Sequence, residues 1–184
     1  MDINKPVSAE ETNIINWEPL SLYQLSMAID EIFSLMHNSR PEFNALLKLQ
    51  YYAGTRVNEL FEPSRWVIEN NKVVHIQPQK GNALRVVNFA DIDIENADEF
   101  RAVMVDMERL PKRQYERAFA SSVTAIHLWR IYDDGYMHPS THLLRHHRIK
   151  QLAAQGYTKD YIATWIGEKN PDNLDYYLNS LFYR

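Results

Sequence analysis

Four separated segments hold the residue types suited to work on a phosphate. The first is Tyr52-Ala53-Gly54-Thr55-Arg56-Val57-Asn58-Glu59-Leu60 and the second Gln79-Lys80-Gly81-Asn82-Ala83-Leu84-Arg85-Val86-Val87. The third is His142-Leu143-Leu144-Arg145-His146. The fourth is Trp165-Ile166-Gly167-Glu168, with Tyr177 ten residues after the glycine. Arginine is permanently charged and offers a planar fork of donors that matches phosphate oxygens. Arg56 follows a small-residue turn at a helix start, where backbone donors also favour an anion. His142 and Arg145 are three positions apart, hence on one face of a helix. A histidine there suits hydrogen bonding to phosphate or proton transfer from a tyrosine. Each residue also fits a plainer role. Arg56 and Glu59 make a surface helix pair, Lys80 a solvated turn lysine, and Tyr177 one of 11 tyrosines, most of which must pack. His142 and His146 have the spacing of a metal pair, but no third ligand accompanies them.

The elements that must position these residues are mostly helical. Ser21-Leu22-Tyr23-Gln24 reads as a capping box, and Leu22, Leu25, Ile29, Ile32 and Phe33 follow at helical spacing. Pro41 opens a second helix that stops at Gly54. Thr55 is expected to cap a third, Arg56 to Glu62, ended by Pro63. The period then changes. Trp66-Val67-Ile68, Val73-Val74-His75-Ile76 and Leu84-Arg85-Val86-Val87 are short β-branched runs, separated by turns at Asn70-Asn71 and Lys80-Gly81-Asn82. Helices are predicted at about 97–110, 113–134, 141–154, 158–166 and 172–181, with Gly135, Gly156 and Gly167 as stops. The fold class is therefore α+β, mainly α-helical with a small three-stranded antiparallel sheet.

The four segments, in this order, resemble the signature of the tyrosine recombinases of the phage-integrase type. The similarity runs over roughly residues 21 to 181. Arg56-x-x-Glu59-Leu60 resembles the first signature box, Lys80 the β-hairpin lysine, and His142-x-Leu144-Arg145-His146 the second box. Tyr177 stands at the spacing of the nucleophilic tyrosine, with Tyr176 as a competitor. The resemblance implies the catalytic fold of that family and cleavage of double-stranded DNA through a covalent 3′-phosphotyrosine. Arg56 and Arg145 would then hold the phosphate, His142 would assist, Lys80 would protonate the leaving 5′-hydroxyl, and Tyr177 would attack phosphorus. Arg148 and Lys150 are expected to contact the DNA backbone. No cofactor or metal is implied. Members of the family act as homo-oligomers, generally tetramers, on DNA, and a lone catalytic domain is compatible with a monomer in solution. The resemblance assigns 19–184 to the catalytic domain and 1–18 to a tail or linker, without the helical core-binding domain of longer members.

The sequence departs from the family at Glu168, where His or Trp is usual. A carboxylate beside a scissile phosphate is repelled. Glu168 is thus expected to turn from the phosphate and pair with a cation. The departure also favours an alternative, a DNA-binding relative that has lost activity. A third possibility is an unrelated helical interaction domain.

Composition narrows the classes further. The chain has 184 residues and 45% hydrophobic content, enough for one sizeable core. The absence of cysteine excludes disulfides and thiolate metal sites. Neither a signal peptide nor an apolar run of membrane-spanning length is seen, and a cytoplasmic, nucleoid-associated location is expected. The net charge of −4 is unusual for a DNA partner, but Arg145 to Lys150 form a basic cluster while Asp91 to Glu99 are acidic.

Overall fold

A computed structural model describes residues 18–77, 83–132 and 135–184. The first described helix, α1 (Leu22–Ser39), starts as its capping box requires: Ser21 Oγ accepts from Gln24 N and Gln24 Oε1 from Ser21 N. It buries Leu25, Ala28, Ile29, Ile32 and Met36. A 3-10 turn at Pro41–Phe43 leads into α2 (Asn44–Ala53), which ends at Gly54 in the left-handed region, φ 63°. The short α3 (Val57–Leu60) has Arg56, not Thr55, at its N-cap. Thr55 is fully buried, and Glu59 instead accepts the Arg56 backbone N–H at 3.0 Å.

Strands β1 (Trp66–Glu69), β2 (Val73–Ile76) and β3 (Arg85–Asn88) form the expected antiparallel sheet in the order β1-β2-β3. Asn70 adopts φ 59° in the first turn, a conformation that asparagine tolerates well. Helices α4 (Ala97–Arg109) and α5 (Lys112–Ala125) follow.

The predicted helix 113–134 stops early. Beyond Ala125 the chain forms β4 (Trp129–Tyr132) and β5 (Gly135–Met137), so Gly135 lies in a strand rather than at a helix stop. These strands and β6 (Phe182–Tyr183) make a second sheet in the order β5-β4-β6. Helices α6 (His142–Ala154) and α7 (Lys159–Ile166) agree with the sequence. The last predicted helix, 172–181, is shorter: a 3-10 turn at Pro171–Asn173, then α8 (Leu174–Leu178). Its tail is taken by β6, because Arg130 and Trp129 offer pairing partners there and Leu20 N donates to Phe182 O.

Two apolar clusters hold the fold. The larger joins α1, α2, α4, α5 and the first sheet, with Phe43, Phe100, Tyr115 and Phe119 among its buried rings. The smaller packs Ile149 and Leu152 of α6 against Ile162 and Ile166 of α7 and Leu174 and Tyr177 of α8. Among the described residues, no helix is long and apolar enough to cross a membrane.

Candidate active site

Two helix C-termini, those of α2 and α7, meet at the seam between the clusters. Each presents carbonyls that no amide of its own helix can satisfy, and each carries the negative end of a helix dipole. Two buried arginines answer them. Arg85 Nη1 donates to Ala53 O at 2.9 Å and Trp165 O at 2.7 Å. Arg145 Nη1 donates to Gly54 O at 2.6 Å and Ile166 O at 3.2 Å. The glycines that end these helices permit the approach. A Cβ on Gly54 would meet Ile166 Cγ2 at 3.1 Å, and one on Gly167 would meet Arg85 Cδ at 3.2 Å. Burial, and then the neighbouring Arg145, pushes Arg85 down to about 9, which still leaves it charged at neutral pH.

Arg145 has no exposed surface, yet its Nε and Nη2 lack hydrogen-bond partners. Burial disfavours its charge most; the adjacent Tyr177 opposes that and Arg56 adds to it. Its Cζ lies 5.7 Å from the Tyr177 ring centroid. The Tyr177 hydroxyl is 3.2 Å from His142 Nε2. His142 is pushed down to about 4 by burial, then by Arg145, Arg56 and Arg130. It is therefore neutral at physiological pH, with a ring nitrogen able to accept a proton.

Glu168 sits between the two candidate phosphate-holding arginines. Its Oε2 is 3.8 Å from Arg56 Nη2 and 3.6 Å from Arg145 Nη2. Asn173 Nδ2 donates to its Oε1 at 3.0 Å. The structure thus brings Arg56, His142, Arg145, Glu168 and Tyr177 together; Glu168 pairs with cations, but it lies between the two arginines rather than turned away from them as the sequence suggests. Lys80 lies outside the described residues. Tyr176 is 57% exposed, with its ring on Arg130 and His146 rather than on the arginine pair.

Arg148 and Lys150 are engaged elsewhere. Arg148 lies over the rings of Tyr52 and Trp165, at 5.6 and 5.1 Å, and donates to Gln151 Oε1. Lys150 Nζ donates to Leu178 O and Ser180 O, fastening the end of α8. Nor do Arg145, His146 and His147 form a basic surface, since each is at least 99% buried. Sequence reading missed Arg85 and Asn173. The signal for Arg85 was its place in a β-branched run, where alternation turns it inward with Val87. Nothing local marks Asn173.

No family model matches the sequence, and no curated protein matches it. Solved structures are similar to it. A lambda integrase dimer bound to a COC′ core site aligns with TM-score 0.61 and 14% identity, over 95% of this chain and 48% of that one. The XerH site-specific recombinase in its post-cleavage complex with a palindromic difH substrate gives 0.59 and 13%, over 88% and 49%. The XerA recombinase gives 0.59 and 16%, over 88% and 60%. The chain spans about half the length of these neighbours. At this level of identity the likeness is one of fold, and the chain has the tyrosine-recombinase catalytic fold.

Proposed function

We propose that this chain breaks and rejoins double-stranded DNA through a covalent bond between Tyr177 and a 3′-phosphate, as an integrase of a phage or other mobile element does. The observation that carries the reading is Arg145: a fully buried guanidinium whose Nε and Nη2 make no hydrogen bond, with only the Glu168 carboxylate 3.6 Å from Nη2, beside Arg56 and against the tyrosine. Such donors cost stability unless an acceptor meets them, and a scissile phosphate supplies two non-bridging oxygens. In the proposed reaction the Tyr177 oxygen attacks phosphorus in line and its proton passes to His142 Nε2. The bond from phosphorus to the 5′-oxygen breaks, and Lys80 gives that oxygen a proton. Arg56 and Arg145 hold the charge that gathers on the non-bridging oxygens. The phosphotyrosine conserves the bond energy, so a 5′-hydroxyl reverses the step. An anion between the arginines also offsets the charges that depress His142, making it a better base.

Glu168 favours a second reading, a relative that binds DNA without cutting it, because its carboxylate already lies between the two guanidiniums. One experiment separates the two. A nicked suicide duplex carrying a cognate site should trap a protein–DNA adduct that is absent in Tyr177→Phe and present in Tyr176→Phe. An adduct lost only in Tyr176→Phe would refute the assignment of the nucleophile. DNA binding with no adduct in the unmodified protein would favour the second reading.

A further inference from the structure

Two arginines tie the main chain at the end of α2 to the main chain at the end of α7. Arg85 Nη1 joins Ala53 O to Trp165 O, and Arg145 Nη1 joins the next pair, Gly54 O to Ile166 O. A further link, from Trp165 Nε1 to Tyr52 O at 3.1 Å, holds the indole rather than the main chain of α7. The ties work against a repulsion. Two helix C-termini that meet present like partial charges, about half an elementary charge each. A cation placed between them converts that repulsion into attraction to a shared centre.

The two arginines differ in what else they reach. Arg145 Cζ is 5.7 Å from the Tyr177 ring centroid, and Arg145 Nη2 is 3.6 Å from the Glu168 carboxylate. Arg85 projects inward from β3 and is 5% exposed. The Gly167 turn closes over its stem, so that a Cβ there would stand 3.2 Å from Arg85 Cδ. A duplex lying on the surface does not meet this side chain. Its influence on chemistry must pass through the turns it holds.

Each turn leads straight to a site residue. Arg56 is three residues beyond Ala53, and Glu168 is three residues beyond Trp165. The placement of one turn against the other therefore sets the gap between Arg56 Nη2 and Glu168 Oε2, 3.8 Å, and brings Arg56 beside Arg145. A single main-chain tie is a pivot. The second, at the neighbouring carbonyls, stops the rotation.

We propose that Arg85 is a positioning residue for strand cleavage: by fixing the α2 turn against the α7 turn it sets the spacing of Arg56, Arg145 and Glu168 around the phosphate, without touching DNA. The proposal rests on the function proposed above. Where catalysis is mostly positioning and electrostatics, a misplacement of about 1 Å costs roughly 10²-fold in rate.

The test compares the full chain with Arg85→Met, Arg85→Lys and Val87→Ala. Methionine fills much of the space without charge or donors. Lysine keeps the charge but ends about one bond short of Nη1, so it must draw the turns inward or release a carbonyl. Val87 is a buried neighbour on the same strand, and its truncation controls for lost stability alone. Two quantities are read. One is the backbone amide resonances of Arg56 and Glu168 by NMR, without DNA. The other is single-turnover cleavage of a nicked suicide duplex at saturating DNA, below the unfolding temperature of each variant. Arg85→Met should shift both amides and slow cleavage about 10- to 100-fold, and Arg85→Lys about three- to tenfold. Duplex affinity should change less than about threefold and its salt slope should stay as in the wild type, whereas loss of a phosphate contact would reduce the slope by about one. Val87→Ala should leave both amides and the rate near wild type, however far its Tm falls.

Unshifted Arg56 and Glu168 amides in the Arg85 variants overturn the proposal. So does a wild-type cleavage rate, a salt slope reduced by about one, or the same losses in Val87→Ala. If Arg85→Met does not fold, Arg85→Lys decides by the same criteria. A wild-type chain that forms no adduct refutes the proposed function rather than the clamp, which then stands or falls on the amide resonances.

Discussion

Glu168 decides how the arginine pair behaves before any ligand arrives. Its side chain is 9% exposed and held from behind by Asn173, so it is not a freely moving surface carboxylate. Its Oε2 faces both guanidiniums at 3.6–3.8 Å, near enough to share their charge but beyond hydrogen-bond length. A phosphate entering the pair meets two cations and one anion. Glu168→Gln removes the anion while keeping an oxygen for Asn173. It should tighten duplex binding a few-fold and leave single-turnover cleavage at saturating DNA no slower than wild type. Glu168→His, which restores the residue type usual in the family, should preserve or raise the rate. A tenfold or greater fall in both variants would mean that the carboxylate orients Arg145 for catalysis, a positive role outweighing its repulsion.

At the scale of elements, α6 carries much of the site and an unusual load of neutral histidine. Burial pushes His142 and His147 down to about 4 and His146 to about 2; nearby Arg and Lys charges add to each shift. In the unfolded chain each would titrate near ~6.5. Between those values the unfolded state binds more protons than the folded one, so stability rises with pH and is lost on acidification. The loss starts as pH falls through about 6.5 and continues to about 4, at up to roughly 1.4 kcal/mol per pH unit for each histidine. Thermal unfolding at pH 7, 6 and 5 should therefore show a steep fall in Tm, reduced in His147→Gln, which removes one of the three. A Tm unchanged over that range would contradict the neutral, buried state of these rings. This helix also shows what the sequence could and could not reveal. The His142 and Arg145 spacing made their shared face legible. The direction of the neighbouring basic residues was not, because Arg148 stacks on Tyr52 and Trp165, which come from other helices. The second sheet was hidden for the same reason. Tyr115, Phe119, Val123 and Ile126 keep a helical period, and no proline or glycine interrupts the sequence before Gly135. What ends the helix is pairing of Arg130 with Phe182, 52 positions away.

At the scale of the molecule, the proposed partner is a polyanion and the chain carries a net charge of −4. Long-range attraction is therefore weak, and binding must come from a local field at the site. The acidic residues between Asp91 and Glu99 follow the first sheet, and Asp93 is paired with Lys48 at 2.6 Å. Of the basic cluster in the sequence, Arg145, His146 and His147 are buried, and Arg148 and Lys150 are partly buried and engaged within the chain. Arg56, with 30% of its side chain exposed, is the accessible member of the arginine pair. Binding that uses two to four phosphate contacts should lose about 10- to 150-fold in affinity between 50 and 200 mM salt. Arg56→Ala should weaken binding to unrelated duplexes alike and reduce the magnitude of the salt slope by about one, since it removes a phosphate contact rather than a base contact. Equilibrium titration of a labelled duplex across that salt range measures both quantities. An affinity insensitive to salt would remove the phosphate-holding role from the arginine pair. A loss in Arg56→Ala confined to one sequence would mean instead that Arg56 reads a base.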